Sequence, residues 1–225
     1  MSQRVVDRLA YAAELSRGKR VLDVGGCGMV IPAPDPGALG RALFALHFWA
    51  ERLAHGGRKE SAPFRTALST LSEEASERRV ADYQDDPQVR YRIDLNAREG
   101  MEQLRVAIDD FRPEVILCME TLEHVNYHFE AMNEFARAID RYGSVVFITL
   151  PNNSNWVLNA LGWNHDHSIA FFRDIANRFV RRSDLGKHAI ESFGCVQKYV
   201  WHWRLAYLLA FGQPFNWGFT VRRKS

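Results

Sequence analysis

From Val21 to Gly28 the chain reads Val-Leu-Asp-Val-Gly-Gly-Cys-Gly, an apolar run closed by an acid and then by glycines. Glycine has no Cβ, so the backbone there can approach a ligand closely. Asp23 stands before the glycines, whereas dinucleotide-binding turns place their acid ~20 residues beyond them. A carboxylate at this point would repel a pyrophosphate but could help to hold a ligand ammonium group. Further acids end apolar runs downstream: Asp82 after Arg79-Val80-Ala81, Asp94 before Leu95, and Glu120 after Val115-Ile116-Leu117-Cys118-Met119. Glu123 and His124 follow closely, and an imidazole that titrates near neutrality suits proton transfer. A structural histidine bonded to backbone is the competing reading of His124, and a helix-capping role is the competing reading of Asp94. Asp85-Asp86-Pro87 reads as a simple turn. His165-Asp166-His167 suggests a metal, but alternate residues share a face only in extended chain and no third ligand is specified nearby. No metal is expected.

The elements that must position these residues alternate between strand and helix. Val5, Leu9 and Leu15 give an opening helix that stops at Gly18. Residues 20–24 form a buried strand running into the glycines. Asp35-Pro36 starts a helix that carries Leu39, Leu43, Phe44, Leu46 and Trp49 to a stop at Gly56-Gly57. A second helix is predicted over 61–79, and its charged end, Ser72 to Arg79, reads as a solvated face. Short strands follow at 79–83 and 89–95, then a mostly apolar strand at 113–119. An amphipathic helix at 129–141 ends at Gly143, and a buried strand at 144–150 ends at Pro151. The tail reads as a helix near 168–179 and strands near 194–201 and 217–222. Strands alternating with helices imply a doubly wound α/β domain around a mostly parallel sheet.

With that order in place, Asp23-Val24-Gly25-Gly26-Cys27-Gly28 resembles the first motif of the class I S-adenosylmethionine-dependent methyltransferases. The family alternates its glycines, which would place them at Cys27 and Met29; here they fall at Gly26 and Gly28, and a one-residue bulge restores the register. The resemblance implies that Asp23, Gly25, Gly26 and Gly28 border the methionine part of the cofactor. It implies that Asp82 accepts both ribose hydroxyls, that Asp94 accepts the adenine amine, and that Leu95 offers its backbone amide to the ring. Glu120 joins these cofactor contacts. Leu122-Glu123-His124-Val125 is similar to the tetrad that ends the fourth strand in the small-molecule branch, with His124 as the candidate base. Residues 143–152 resemble the fifth strand and its proline turn. The resemblance is clear over residues 19–152 and holds only in outline beyond them. It implies a seven-stranded, Rossmann-like sheet with an antiparallel final strand and a helical insertion over about 30–78, all within one domain spanning 1–225.

The function so implied is methyl transfer from S-adenosyl-L-methionine to a hydroxyl or amine of a sugar, glycolipid or natural product. Two rivals stand beside it. One is an RNA or protein methyltransferase, disfavoured because Glu120-Thr121-Leu122-Glu123 stands where an Asn-Pro-Pro-Tyr-like tetrad would be. The other is a scaffold that kept the fold and lost the cofactor, which the irregular glycine spacing favours. A dehydrogenase fits the acid-before-glycine order badly.

Composition is compatible with this. The 225 residues carry a formal charge of +2 and are 47% hydrophobic, suiting one globular domain. Arg181-Arg182 and Arg222-Arg223-Lys224 are isolated in the sequence and make no long stripe, so a nucleic-acid partner is not expected. Cys27, Cys118 and Cys195 form no CxxC pair, and no apolar run approaches the ~20 residues of a membrane span. A cytoplasmic location is the natural expectation. The apolar segment at 42–49 leaves three roles open: a lid or membrane-surface contact, a helix buried on the sheet, and a homodimer interface.

Overall fold

The computed structural model describes residues 4–26, 74–155, 171–196 and 213–224. Eight strands form one sheet: β1 (Val5–Asp7), β2 (Arg20–Val24), β3 (Glu77–Asp82), β4 (Val89–Arg92), β5 (Val115–Met119), β6 (Val145–Pro151), β7 (Ala189–Val196) and β8 (Asn216–Arg222). Four α-helices accompany them: α1 (Arg8–Ser16), α2 (Arg98–Phe111), α3 (His128–Tyr142) and α4 (Arg173–Arg182). The spatial order is β1-β7-β8-β6-β5-β2-β3-β4. All neighbours are parallel except β8, which runs antiparallel to both β6 and β7.

The central strands are apolar because helices cover both faces of the sheet. Val115, Ile116, Leu117 and Cys118 of β5 are each at most 2% exposed. One face packs the apolar stripes of α2, α3 and α4, with Leu104, Ile108, Phe135, Ile139 and Val180 in a single cluster. The other packs α1, where Tyr11 meets Phe147 and Phe193 edge-on at centroid distances of 5.3 and 5.0 Å. The Tyr11 hydroxyl shares a hydrogen bond with Thr220 Oγ1 at 3.0 Å, so its polar end is satisfied inside the core. Asp7 starts α1 by accepting the Ala10 amide, and Gly143, at φ 71°, ends α3.

Four expectations change. The opening segment is strand before it is helix: Val5–Asp7 pairs with residues 194–196 as an eighth strand, and Asp7 then caps α1. The helix predicted through residue 79 has given way to strand by Glu77, because residues 77–81 pair in register with β2. β7 starts at Ala189, five residues before the expected 194; its first half, Ala-Ile-Glu-Ser, is exposed apart from half-buried Ile190, so the sequence shows no apolar run there. α2, implied only as the helix after Asp94, is a full element that buries Gly100 and the side chains of Leu104, Ala107, Ile108 and Phe111. The helix expected from 35 to 57 and most of the insertion over 30–78 lie outside the described residues.

Candidate functional site

Parallel strands deliver their carboxyl ends to one edge, where an open α/β sheet binds ligands. The register puts the acids there. Asp23, next to last in β2, is the Cα partner of Val80; Asp82 is the last residue of β3 and the partner of Arg92. Asp94 follows β4, and Glu120 follows β5. Asp23, Asp82, Asp94 and Glu120 therefore share the carboxyl edge, in the strand order β5-β2-β3-β4.

Asp23 is 1% exposed and meets a cation the sequence reading missed. Arg78 donates to Asp23 Oδ2 through Nη2 at 2.6 Å and through Nε at 3.1 Å. Burial pushes the Asp23 carboxyl up, while the Arg78 guanidinium pulls it back. Arg78 belongs to the charged run read as a solvated face, yet its side chain is only 7% exposed. That reading is corrected: within a helix the run would face water, but as a strand beside β2 it turns one arginine inward. The alternation Arg78, Val80 along β3 is the signal that could have found it.

The glycine turn is packed tightly against these groups. Gly25 has φ +77°, and a Cβ there would lie 2.2 Å from Thr121 Oγ1. A Cβ on Gly26 would lie 2.6 Å from the Asp23 carboxylate. Thr121 Oγ1 is 3.3 Å from the Val24 carbonyl, tying the turn after β2 to the turn after β5. Both glycines thus let backbone pass close to protein groups at the edge itself. Gly28 lies outside the described residues, as does His165-Asp166-His167.

Asp82 is 6% exposed, and its Oδ1 accepts the Gln84 amide at 3.1 Å. Asp94 is exposed, and its Oδ1 accepts the Asn96 amide at 2.8 Å, a local turn. Leu95 turns its side chain into the core at 6% exposure. Gly100 seats α2 beneath this turn, since a Cβ on it would stand 1.9 Å from the Asp94 carbonyl oxygen.

On the other flank, Glu120 adopts φ +53° and pairs with Arg8 Nη1 at 2.5 Å, and Asn216 donates to the same carboxylate. Arg8 is 4% exposed, and Asn216 opens β8. Neither was a sequence candidate, because nothing local marks residues that meet across the fold. Glu123 is fully buried; burial, then the nearby Glu120 charge, push its carboxyl well above the usual range. His124 is half-buried and closes a 3-10 turn, Leu122–His124, through its amide to the Thr121 carbonyl at 3.0 Å. Among the described residues no cluster of three or more metal-ligating side chains occurs, and no helix is long and apolar enough to cross a membrane.

No family model matches the chain, and no curated protein matches it in sequence. Solved structures do. An S-adenosylmethionine-dependent methyltransferase from Mesorhizobium loti aligns over 96% of this chain and 95% of its own, with a TM-score of 0.50 at 12% identity. The N-methyltransferase NodS from Bradyrhizobium japonicum, in complex with S-adenosylhomocysteine, aligns over 97% and 86% with a TM-score of 0.44 at 10% identity. The small RNA methyltransferase HEN1 aligns over 97% of this chain, which spans a quarter of that one (25%), with a TM-score of 0.46 at 14% identity. The fold is that of the class I S-adenosylmethionine-dependent methyltransferases.

Proposed function

We propose that the chain is an S-adenosylmethionine-dependent methyltransferase acting on a hydroxyl or amine of a small molecule. The observation that carries this reading is the row of acids at one sheet edge: Asp82 and Asp94 on one side of a glycine turn packed against Asp23 and Thr121, and Glu120 on the other.

These residues fit an adenosyl ligand. Asp82, at the end of β3, is the residue to accept ribose hydroxyls, a charge-assisted bond worth roughly 1.5–3 kcal/mol. Asp94 and the Leu95 amide would border adenine, and Gly25 and Gly26 the methionine part. Asp23, its carboxylate engaged by Arg78, would act by holding the turn from beneath. When bound, the cofactor supplies a methyl group already activated by a sulfonium. The protein's part is then alignment, which can contribute ~7–11 kcal/mol. His124 would take a proton from the acceptor if one must leave. We further read the chain as one domain that works in the cytoplasm; the buried thiols of Cys118 and Cys195 support a reducing compartment.

Calorimetry with S-adenosylmethionine and S-adenosylhomocysteine tests this. The native chain should bind both, and Asp82→Ala should weaken both by at least tenfold. Absence of binding by a folded native chain would establish the scaffold reading instead.

A further inference from the structure

Arg181-Arg182 and Arg222-Arg223-Lys224 lie far apart in the sequence, and the fold brings them to one place. α4 begins at the carboxyl edge, where the Phe171 amide donates to Asn153 Oδ1, and descends to the opposite edge. There the chain turns back so closely that a Cβ on Gly186 would lie 2.2 Å from the Arg181 carbonyl oxygen. β7 then begins at Ala189, whose register partner is Arg222. Arg223 donates to the Asp140 carbonyl at 3.0 Å, fixing the end of β8 against α3. Arg181, Arg182, Lys187, Arg222, Arg223 and Lys224 thus surround the amino-terminal edge of β7, and all six are exposed.

The acids nearby are mostly engaged, and Glu191, two residues into β7 from Ala189, pairs with Arg4. Asp184 pairs with Lys187 at 2.5 Å, and Asp140 lies 3.8 Å from His188 Nε2. Among the described residues Arg181, Arg182, Arg222 and Lys224 enter no ion pair, so cationic charge dominates the edge. Part of it complements the carboxyl ends of α4 and, through Arg223, of α3; Arg222 ends β8 and Lys224 lies two residues beyond it.

We propose that this edge binds the phosphate backbone of a double-stranded nucleic acid. Four of the six cations are arginines, whose forked donors match phosphate oxygens in pairs. The large apolar side chains exposed among the described residues are Tyr83, Val106, Phe172 and Ile175, none of them at this edge. A membrane surface would favour apolar side chains to insert, and single strands favour aromatic platforms. A surface of charge alone suits a duplex backbone read without sequence. The edge is separate from the candidate site: β8 spans seven residues from Asn216, beside Glu120, to Arg222, roughly 20 Å of extended chain. The proposal therefore does not rest on the methyltransferase reading.

Fluorescence anisotropy of labelled RNA and DNA duplexes, titrated with the full chain at low and physiological ionic strength, tests it. Affinity should fall with salt, with a log–log slope of about −0.9 for each phosphate contacted. R181E/R182E and R222E/K224E should each weaken binding about tenfold or more and flatten the slope by about two. Circular dichroism and S-adenosylmethionine affinity should stay unchanged in both. If a charge reversal unfolds the chain, R181Q/R182Q replaces it, with the same sign of effect expected. No salt-dependent binding by the native chain, binding that both variants retain in full, or tighter retention on phosphatidylserine vesicles than on either duplex would overturn the proposal.

Discussion

Two carboxyls show how position decides protonation. Asp23 is buried against Arg78, whereas Glu123 is buried where Arg8 already serves Glu120. Removing the guanidinium with Arg78→Met should cost about 3–5 kcal/mol, because a buried carboxylate is left behind. Chemical denaturation of Arg78→Met, Asp23→Asn and the double variant tests this; strict additivity would deny the coupling. For Glu123 the folded-state pKa is raised, so the native state keeps a proton that the unfolded chain releases above the usual carboxyl range. Stability from this group is full at low pH and declines as pH rises from about 4.5. Glu123→Gln should therefore gain on the native chain with rising pH, by up to about 1.4 kcal/mol per pH unit. Urea midpoints at pH 5 and pH 8 that differ equally between the two proteins would contradict it.

Elements carry these residues to the edge, and small side chains decide whether they arrive. Gly100 lets α2 start directly under the Asp94 carbonyl. Gly100→Ala should displace the Asp94–Leu95 turn, cost about 1–3 kcal/mol by strain and lost packing, and weaken cofactor binding with it. A thermal shift without a change in S-adenosylmethionine affinity would separate helix seating from the site. The same level explains what the sequence disclosed. The β2, β5 and β6 strands were legible because central parallel strands are continuously apolar, and their acids followed as strand endings. β1 was not, since three residues next to a helix carry no period of their own. Arg78, Arg8 and Asn216 were hidden for another reason: each meets its partner only after distant strands pair, and local pattern is blind to that.

At the scale of the whole molecule, β1 closes the flank of β7, with the Gly194 amide donating to the Arg4 carbonyl at 3.0 Å. Uncovered strand edges invite association with other chains. Removing residues 1–7 should yield a protein whose apparent mass in light scattering rises with concentration; a monomer at all concentrations would show that β7 tolerates its bare edge.

The last strand in the chain, β8, lies between β6 and β7 and pairs with both along its length. A ribosome must therefore deliver residue 222 before the two flanks of the sheet can join. Until then β7 and β1 have no strand joining them to the parallel half, and Phe193 lacks its place beside Tyr11 and Phe147. Joining of the two flanks therefore waits on the element made last among those described, and until it arrives β6 and β7 each lack a neighbour along one side.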